Sequence, residues 1–444
     1  AGTGAVATTV QTKLRETVSV KDFGAVGDGV TDDTAAIQAA LDSGAKKINI
    51  SQGTFKITST LIVSANTYIS GERFTSVINC ETAFDAFSAT AGYSHITGLT
   101  INGILGDTTY AGIKLFNANN MVLEDLTITN FAYGIFSYGV TWLQIFRNIR
   151  INAPAVVGFW MANSSDGALT GNAGTGLSCL LESIYVANTD ISVSPTSSFV
   201  FYAQFGLTLN NLTQDGSTAV TMHGIVLMSI ANLVINNIHF EGTRPPPISP
   251  YFSTIGSGII HCQAVKGTIL GVRIHSSTLS ATQSVLYGEV QTSLLLSNIT
   301  KFAITGTYYD VVLDNTLYRL NKVFYSGPVE AITAGGTPEF SYNIVGTGTG
   351  KALVITDNNI FNLERTSTDV TLSRSSNVIY TNGDKAMEVN VYTNVSSADV
   401  QGYRGTDRVA YQAGTSIKGI TFTVPPYSNY KVVCTDINTW TELA

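Results

Sequence analysis

Three segments of the chain share one pattern: residues 209–215 read LNNLTQD, residues 235–241 read INNIHFE, and residues 269–275 read ILGVRIH. When the segments are aligned on their fourth residues, Leu212, Ile238 and Val272, polar residues occur one and three positions after each of them. We call these fourth residues the anchors of the repeat. Side chains alternate between the two faces of a strand. The pattern therefore predicts stacked strands whose apolar anchors are buried and whose polar side chains share one outer face.

The same pattern recurs along most of the chain. Most spacings between anchors run from 23 to 28 residues and two are longer; the anchors are Leu99, Leu126, Ile149, Ile184, Leu212, Ile238, Val272 and Ile299. The residue before an anchor is often Asn, which suits a stacked ladder at a sharp turn. A second row pairs Gly with an apolar residue at 112–113, 134–135, 158–159, 224–225 and 258–259. Such periods predict a solenoid, in which each turn buries its faces on its neighbours.

Composition excludes several classes of function. The net charge is −7, only 12% of residues are charged, and Lys and Arg form no dense run, which argues against nucleic acid as a partner. No apolar run reaches the roughly 18 residues of a membrane span. The four cysteines are far apart, so we expect reduced core thiols and no metal or other cofactor. The chain starts at Ala1 without Met or a signal peptide pattern, which favours an upstream module before residue 1.

Residues 18–41 read VSVKDFGAVGDGVTDDTAAIQAAL. They predict a short strand, a Gly-rich turn and a helix capped by Thr31 or Asp32. The apolar stripe of this helix would be Ala36, Ile37, Ala40 and Leu41. A calcium or phosphate loop built from Asp28, Asp32 and Asp33 is less favoured. No Lys follows the glycines, and the spacing is not that of an EF-hand.

This stretch resembles, almost residue for residue, the N-terminal signature of pectate-lyase-like right-handed parallel β-helix proteins. Within that superfamily it is most similar to the tailspike depolymerases of tailed bacteriophages. Residues 9–16, 48–57 and 67–72 match the same pattern, so the resemblance covers about residues 8–80. It is specific for the fold and says little about substrate.

The resemblance and the repeat together predict an all-β chain: a right-handed parallel β-helix (solenoid) with a short N-terminal capping helix and a C-terminal antiparallel β-sandwich region. Residues 1–18 would be a neck or linker to a missing virion-binding module, 19–327 the β-helix with the glycan site, and 328–444 the β-sandwich. The resemblance implies that this last region drives homotrimer formation and sometimes binds carbohydrate. It also implies attachment through the N-terminus to a phage baseplate or tail adaptor, in a virion that acts at the bacterial cell surface.

The predicted polar face carries the candidate chemistry. Asp215, Glu241 and His275 fall at one register, and Thr213, His239 and Arg273 fall two residues earlier. Since stacked strands lie about 4.8 Å apart, the two carboxyl groups are expected within roughly 4–8 Å of each other. Glycosidases use such a pair, at about 5–5.5 Å for retention and 6.5–9.5 Å for inversion. Like charges this close favour protonation of one partner, which can then act as the acid.

Other residues are alternative candidates. Glu124, Arg147 and Glu182 fall at one register on successive turns, a spacing typical of a structural salt-bridge row. Asp166 and Asp190 lie in or near an insert at 164–176, and Arg244 lies in a longer insert at 242–258. Aromatic rings suit sugar stacking, and those on or near the same turns are Trp142, Trp160, Tyr133, Tyr138, Tyr185, Tyr251 and Phe252. Phe159 is expected in the core, and Trp160 beside it facing outward.

We therefore predict an enzyme that hydrolyses a bacterial surface polysaccharide, capsule or O-antigen, with Glu241 and Asp215. His239, Arg273, His275, Arg244, Tyr185 and Trp160 would bind substrate. A lyase acting on a uronic-acid polymer is the enzyme alternative, because Arg273, His239 and His275 offer cations and a base. A non-catalytic adhesin would use the same groove for binding alone.

Overall fold

The computed structural model describes residues 3–14, 16–163, 176–188, 196–216, 221–247, 250–251, 257–280, 283–289 and 293–302, and beyond these the strands from Tyr309 to Leu443. Side-chain positions are described mainly up to residue 288. By its contacts the chain forms two compact units, Ala1–Lys351 with Ile355–Asn359, and Ala352–Val354 with Ile360–Ala444.

Up to residue 356 the described part of the chain contains two α-helices, one 3-10 helix and a long series of strands; they belong to the first unit, except that Leu353 and Val354 of the last strand belong to the second. In chain order these are α1 (Val10–Leu14), β1 (Thr17–Ser19), the 3-10 helix (Val20–Phe23), β2 (Asp28–Asp32), α2 (Thr34–Asp42), β3 (Lys47–Ile50), β4 (Gly53–Ile57), β5 (Leu61–Val63), β6 (Tyr68–Gly71), β7 (Ser76–Cys80), β8 (Phe87–Ala89), β9 (His95–Thr97), β10 (Thr100–Asn102), β11 (Ala111–Phe116), β12 (Val122–Thr129), β13 (Tyr133–Tyr138), β14 (Ile145–Asn152), β15 (Val157–Ala162), β16 (Gly176–Leu177), β17 (Leu180–Asn188), β18 (Ser197–Phe205), β19 (Thr208–Gly216), β20 (His223–Glu241), β21 (Ser257–His275), β22 (Gln283–Glu289), β23 (Ser293–Phe302), β24 (Tyr309–Asp314), β25 (Arg319–Leu320), β26 (Tyr325–Ser326), β27 (Ile332–Gly335) and β28 (Leu353–Thr356).

These strands pair in parallel from turn to turn and build three faces of a coil. Face 1 stacks β1, β3, β6 and β9, followed by the first parts of β12, β14, β17 and β19 and the middle of β20 and β21. Face 2 stacks β2, β4, β7 and β10, followed by the last parts of β12, β14, β17, β19, β20 and β21. Face 3 runs from β5 through β8, β11, β13, β15 and β18 into the first parts of β20 and β21, then β22, β24 and β27. The predicted parallel β-helix is confirmed.

A single residue in the left-handed conformation makes the corner between faces 1 and 2. The φ angles at this corner are +56° at Asp125, +47° at Asn148, +56° at Ser183, +54° at Asn211 and +57° at Asn237. Asn and Asp tolerate this region better than other residues with a side chain, which explains the recurring Asn before each anchor. The Asn148 amide also donates to the Asp125 carboxylate at 2.5 Å, so the corner side chains form the predicted ladder.

Replacement of Asn148 tests this explanation of the corner. Asn148→Ala is expected to destabilise the fold by about 1–2 kcal/mol, because Ala in a left-handed conformation is strained and the ladder bond is lost. Asn148→Gly, which keeps the backbone relaxed, is expected to cost less. Urea unfolding of the two variants measures the difference, and a larger cost for Gly than for Ala would contradict the explanation.

The interior is filled by apolar side chains that stack from turn to turn. Leu212, Ile238 and Val272 are at most 1% exposed, as their anchor role predicts. Phe159 is fully buried, and its ring lies 4.8 Å from Phe146 between centroids. In the predicted row of Gly–apolar pairs, one alignment is wrong. Ile225 pairs with Ile260, not with Ile259, because the strand after the insert is offset by one residue. Cys80, Cys179 and Cys262 are buried free thiols.

Helix α2 covers the open end of the coil. Its buried side is formed by Ile37, Ala40 and Leu41. Gln38 uses both ends of its amide on strand β5, accepting from Ile62 N at 2.9 Å and donating to Ile62 O at 3.2 Å. The helix thereby satisfies an edge strand that would otherwise expose unpaired backbone groups.

The acidic turn before α2 is a network of internal hydrogen bonds. Asp33, which is 1% exposed, accepts from the backbone amides of Val26 and Gly27. It is the N-cap residue of α2, a position the sequence assigned to Thr31 or Asp32, and its carboxylate is directed at the preceding turn. Hydrogen bonds from Thr31 and Val30 lower the pKa of Asp28, and bonds from Thr34 lower that of Asp32. These contacts support the structural interpretation of the three acids over an ion-binding loop.

The strands of the second unit pair antiparallel, whereas those of the first unit pair in parallel. Its strands are β29 (Thr368–Asp369), β30 (Tyr380–Thr381), β31 (Met387–Thr393), β32 (Val400–Arg404), β33 (Asp407–Gln412), β34 (Lys418–Val424), β35 (Asn429–Val433) and β36 (Thr439–Leu443). They form two four-stranded sheets in the orders β29-β36-β31-β34 and β30-β35-β32-β33.

Parallel pairing of the first unit reaches Ile332–Gly335, past residue 327, where the sequence repeat fades. The domain division itself stays a prediction. Of the helices in the described part of the chain, none is long and apolar enough to cross a membrane.

Candidate active site

The polar residues aligned by sequence meet on the outer surface of face 2. Asp215 pairs in register with Glu241, and Glu241 pairs with His275. One column nearer the corner, Thr213 pairs with His239, and His239 pairs with Arg273. All six side chains are partly or fully exposed, while Gln214, Phe240 and Ile274 between them are fully buried. Adjacent turns therefore hold the two carboxylates side by side at about the spacing of paired strands.

Asp215 is bound by a tyrosine from the preceding turn. The Tyr185 hydroxyl donates to Asp215 Oδ2 at 2.6 Å. Burial, followed by the interaction with Asp215, raises the pKa of Tyr185 to about 12. The phenol therefore remains a hydrogen-bond donor throughout the neutral pH range. The bond fixes the orientation of the Asp215 carboxyl group.

Arg150 fixes the ring of Tyr185 and was not recognised in the sequence. Its guanidinium lies 4.4 Å from the centroid of the Tyr185 ring, and its Nε donates to Asn152 Oδ1 at 2.9 Å. Arg150 follows the anchor Ile149, so it occupies the same column as Tyr185, Thr213 and His239. Extending the alignment two turns towards the N-terminus would have identified it.

Glu241 lies between two imidazoles. His239 Nε2 is 3.4 Å from Glu241 Oε2, and His275 Nδ1 is 3.4 Å from Glu241 Oε1. His275 Nδ1 also lies 2.7 Å from the Ser276 hydroxyl. Two imidazoles, one from the same strand and one from the next turn, thus contact one carboxylate.

A buried amide supports Glu241 from inside the coil. Gln214 is fully buried, donates to the Glu241 carbonyl at 2.9 Å, and accepts a hydrogen bond from the Thr243 hydroxyl. Equivalent inward positions hold Ile128, Ile151 and Phe240. In the sequence, Gln214 is a polar residue at a position of the repeat that is otherwise apolar. The prediction from sequence did not include it in the site.

A cleft opens beside the carboxylates at the corner between faces 1 and 2. Its volume is about 720 Å³, and its lining comprises Asn211, Leu212, Thr213, Asn237, Ile238, His239, Gly271 and Arg273. Pockets of this size accommodate small molecules. Arg273 is exposed at the cleft, so the cleft contains a positive charge in the column beside that of Asp215 and Glu241.

Two of the alternative catalytic carboxylates, Glu124 and Glu182, contact basic side chains on face 1. On face 1, Glu124 Oε1 lies 2.9 Å from His95 Nε2, and Glu182 Oε2 lies 3.2 Å from Arg147 Nε. Glu124, Arg147 and Glu182 are paired in register, as expected for a row of structural ion pairs. Asp166 and Asp190 lie outside the described residues.

Several aromatic candidates lie away from the carboxylates, on face 3. The ring of Trp160 makes edge contacts with Tyr133, Phe136 and Tyr251, at 5.8, 5.9 and 6.2 Å between centroids. Trp160 does face outward, as predicted, but β15 is a strand of face 3, so Trp160 is not part of the Asp215–Glu241 cluster. Tyr251 shows that the insert after Glu241 reaches face 3. Arg244 is exposed at the start of that insert, and its carbonyl accepts from Met222 N.

In the described residues, no group of three or more His, Cys, Asp or Glu side chains is arranged to hold a metal ion. The site on face 2 contains two adjacent carboxylates, two imidazoles, a phenol and two guanidinium groups. Paired carboxylates with such neighbours suit acid–base or nucleophilic catalysis on a polar substrate.

Comparison with known proteins gives one family-level match. A family model described as rhamnogalacturonase A/epimerase, pectate lyase-like, matches residues 17–244, just over half of the chain. The curated relatives match over short segments, as two of them show. A tail spike protein of an Escherichia phage is 48% identical over 56 residues, 13% of this chain and 7% of its own length. A glucan 1,3-beta-glucosidase of Cochliobolus carbonum is 37% identical over 70 residues, 15% of this chain and 9% of its own length.

Among solved structures, the A-module of mannuronan C-5 epimerase AlgE6 from Azotobacter vinelandii superposes with a TM-score of 0.51 at 16% identity. The superposition covers 77% of this chain and all of that module. At this identity the likeness concerns the fold alone.

Proposed function

This chain belongs to the rhamnogalacturonase A/epimerase, pectate lyase-like family, and from that premise we propose that it is a bacteriophage tailspike that binds and hydrolyses a bacterial surface polysaccharide. The observation that carries the proposal is the register pairing of Asp215 with Glu241 on an exposed face of the coil. The short match to a phage tail spike protein supports the biological setting. Trimerisation, attachment through the N-terminus and location in a virion tail are parts of the same proposal.

Asp215 acts as the base or nucleophile in this mechanism. Its Oδ2 accepts a hydrogen bond from the Tyr185 hydroxyl, which fixes the orientation of the carboxyl group. In a retaining reaction Asp215 attacks the anomeric carbon, and in an inverting one it takes a proton from the attacking water. Tyr185 remains protonated in either case and holds the carboxylate in position.

Glu241 is the proton donor to the leaving oxygen. The imidazoles of His239 and His275 contact its two oxygens and can return a proton to it after each turnover. The Gln214 bond to the Glu241 carbonyl limits movement of the strand at this point. Preorganisation of this kind keeps the two carboxyl groups on opposite sides of one glycosidic bond.

Tyr185→Phe tests the role assigned to Asp215. We expect kcat to fall about tenfold with little change in KM, because the carboxylate loses a positioning bond but substrate contacts remain. The ring stays in place beside Arg150, so thermal stability should change little. Steady-state kinetics with purified polysaccharide measures the effect, and an unchanged kcat would show that the hydroxyl has no positioning role.

The nature of the products tests the reaction class. Hydrolysis creates one new reducing end for each bond cleaved and no unsaturated sugar, whereas β-elimination creates an unsaturated product that absorbs ultraviolet light. Incubation with a cleaved glycan should therefore yield reducing ends without that absorbance. Unsaturated products would identify a lyase, and binding without either product would identify an adhesin.

The lyase alternative has a specific observation in its favour. Exposed Arg273 and two imidazoles share the surface with the carboxylates, and β-elimination needs a cation near the substrate carboxylate and a base. Hydrolysis is preferred because Asp215 and Glu241 are in register on adjacent turns, which supports a role as the carboxylate pair that glycosidases use.

A further inference from the structure

Exposed apolar side chains form a line along the corner between faces 3 and 1. Trp142, Leu177 and Phe205 pair in register on three successive turns and are 42%, 40% and 44% exposed. Leu143, the corner residue that follows Trp142, is 47% exposed. We call these four residues the apolar ridge. The corner position one turn earlier is Asn120, so the repeat itself does not require an apolar residue here.

Leu143 makes this corner in a strained backbone conformation. Its φ angle is +52°, in the left-handed region, and the equivalent corner residues of the next turns are Ser178, Gly206 and Asn232. That region accepts Gly and Asn but is unfavourable for a bulky side chain. Because the Leu143 side chain is exposed, burial within the chain does not offset the strain. Contact with another molecule would explain a side chain that is both strained and exposed.

The surfaces on both sides of the ridge are apolar as well. On face 1 the next outward column is Val122, Ile145 and Leu180, which are in register and partly exposed. On face 3 the strands that lead into this corner end in Phe116 and Tyr138, whose rings lie 4.8 Å apart between centroids. An exposed apolar surface that extends over several turns is typical of a contact with another protein.

The spacing and charge of the ridge fit a second copy of the same chain. Its side chains repeat with the turns of the coil, about 4.8 Å apart, and the ridge of a parallel copy has the same spacing. None of the four ridge residues is charged, so like residues can meet without repulsion. The nearest charged residues on face 1 include Arg147 and Glu182, which pair within the chain at 3.2 Å.

We propose that parallel copies of the chain pack against one another along the apolar ridge. In a coil of three faces, the corner between faces 3 and 1 lies opposite face 2. This packing therefore leaves Asp215 and Glu241 of every copy on the outside, open to a long polymer. The inference rests on the proposed function for the number of copies, three, and adds the surface on which their coils meet.

Cross-linking of the full chain tests which corner faces the partner copy. Asn232→Cys places a thiol at the corner between faces 3 and 1, one turn beyond Phe205, and Asn237→Cys places one at the corner between faces 1 and 2. The two positions are matched, because both asparagines are exposed and left-handed, with φ angles of +56° and +57°. A short bifunctional maleimide should join copies of Asn232→Cys and leave Asn237→Cys at the level of wild type.

A carboxylate on the ridge should separate the coils. Leu177→Glu, added to Asn232→Cys, is expected to lower the yield of cross-linked copies about tenfold, because like charges would face one another across the contact. Phe74→Glu is the control, since Phe74 is 70% exposed in the turn between β6 and β7, away from the ridge, and should leave the yield unchanged. Circular dichroism checks that both variants remain folded.

Three results would overturn the ridge as the contact surface. They are cross-link yields that do not differ between the two corners, a cross-link that survives Leu177→Glu, and a full chain that is monomeric in solution. The last result would leave the ridge to a different partner or to sugar stacking at Trp142. Cleavage is measured on the same samples and does not depend on the ridge, because Asp215 and Glu241 lie together on face 2 of one chain. Cross-linking through the ridge without any cleavage would refute the hydrolase alone.

Discussion

Glu241→Gln is expected to lower the rate of polysaccharide cleavage by about 100-fold to 10,000-fold, the range for loss of a general acid. Gln keeps the shape of the side chain and its contacts with His239 and His275, but it cannot deliver a proton at neutral pH. Asp215→Asn should cause a loss of similar size, because the amide neither attacks carbon nor takes a proton from water. Both side chains are on the outer surface, so thermal melts of the two variants should match wild type.

The control for this result is Glu182→Gln. Glu182 is a carboxylate on face 1 whose partner is Arg147, at 3.2 Å, so its loss should leave cleavage nearly unchanged. Full activity of Glu241→Gln and Asp215→Asn would contradict the mechanism. The site would then have to be sought at Glu124 and Glu182, at Asp166, or between subunits.

Phe159→Ala is expected to destabilise the first unit by about 3–5 kcal/mol, the usual cost of truncating a fully buried aromatic ring. Phe159 is 0% exposed and packs between Phe146 and Phe201, at 4.8 and 5.8 Å between ring centroids. Neighbouring turns cannot collapse into the space, because their backbones are fixed by parallel hydrogen bonds. Denaturant unfolding measures the change.

The matched variant is Phe116→Ala. Phe116 lies on the outer surface of face 3, half-buried, with its ring 4.8 Å from that of Tyr138. Loss of one such ring contact and part of its burial should cost about 1 kcal/mol. Equal costs for the two variants would show that the interior of the coil does not supply most of the stability.

The register of the site could be predicted because each turn repeats the same constraints. The anchors Leu212, Ile238 and Val272 must be buried, and the residue before each must accept a left-handed backbone. Once both positions are fixed, side chains alternate along the strand, so the polar residues one and three positions after each anchor must lie on the outer face. The fold and the grouping of Asp215, Glu241, His239 and His275 therefore followed from sequence alone. Their catalytic role stays a prediction.

The remaining contacts depend on information that the local pattern lacks. Trp160 was assigned correctly to the outside, but which of three outer faces it joins depends on where each corner falls. Gln214 was missed because a buried amide breaks the apolar pattern. Arg150 was missed because it lies two turns before the three segments whose alignment defined the site. The Tyr185–Asp215 bond needs side-chain geometry across two turns, which residue spacing does not provide.

The most direct test of the carboxylate pair is a structure of the Glu241→Gln variant with a bound oligosaccharide of the natural substrate. We predict that the sugar chain lies across face 2, with one glycosidic bond between the carboxyl group of Asp215 and the amide of Gln at position 241. A sugar chain bound along face 1 near Glu124 and Glu182, or on face 3 at Trp160, with no contact to Asp215, would contradict the account.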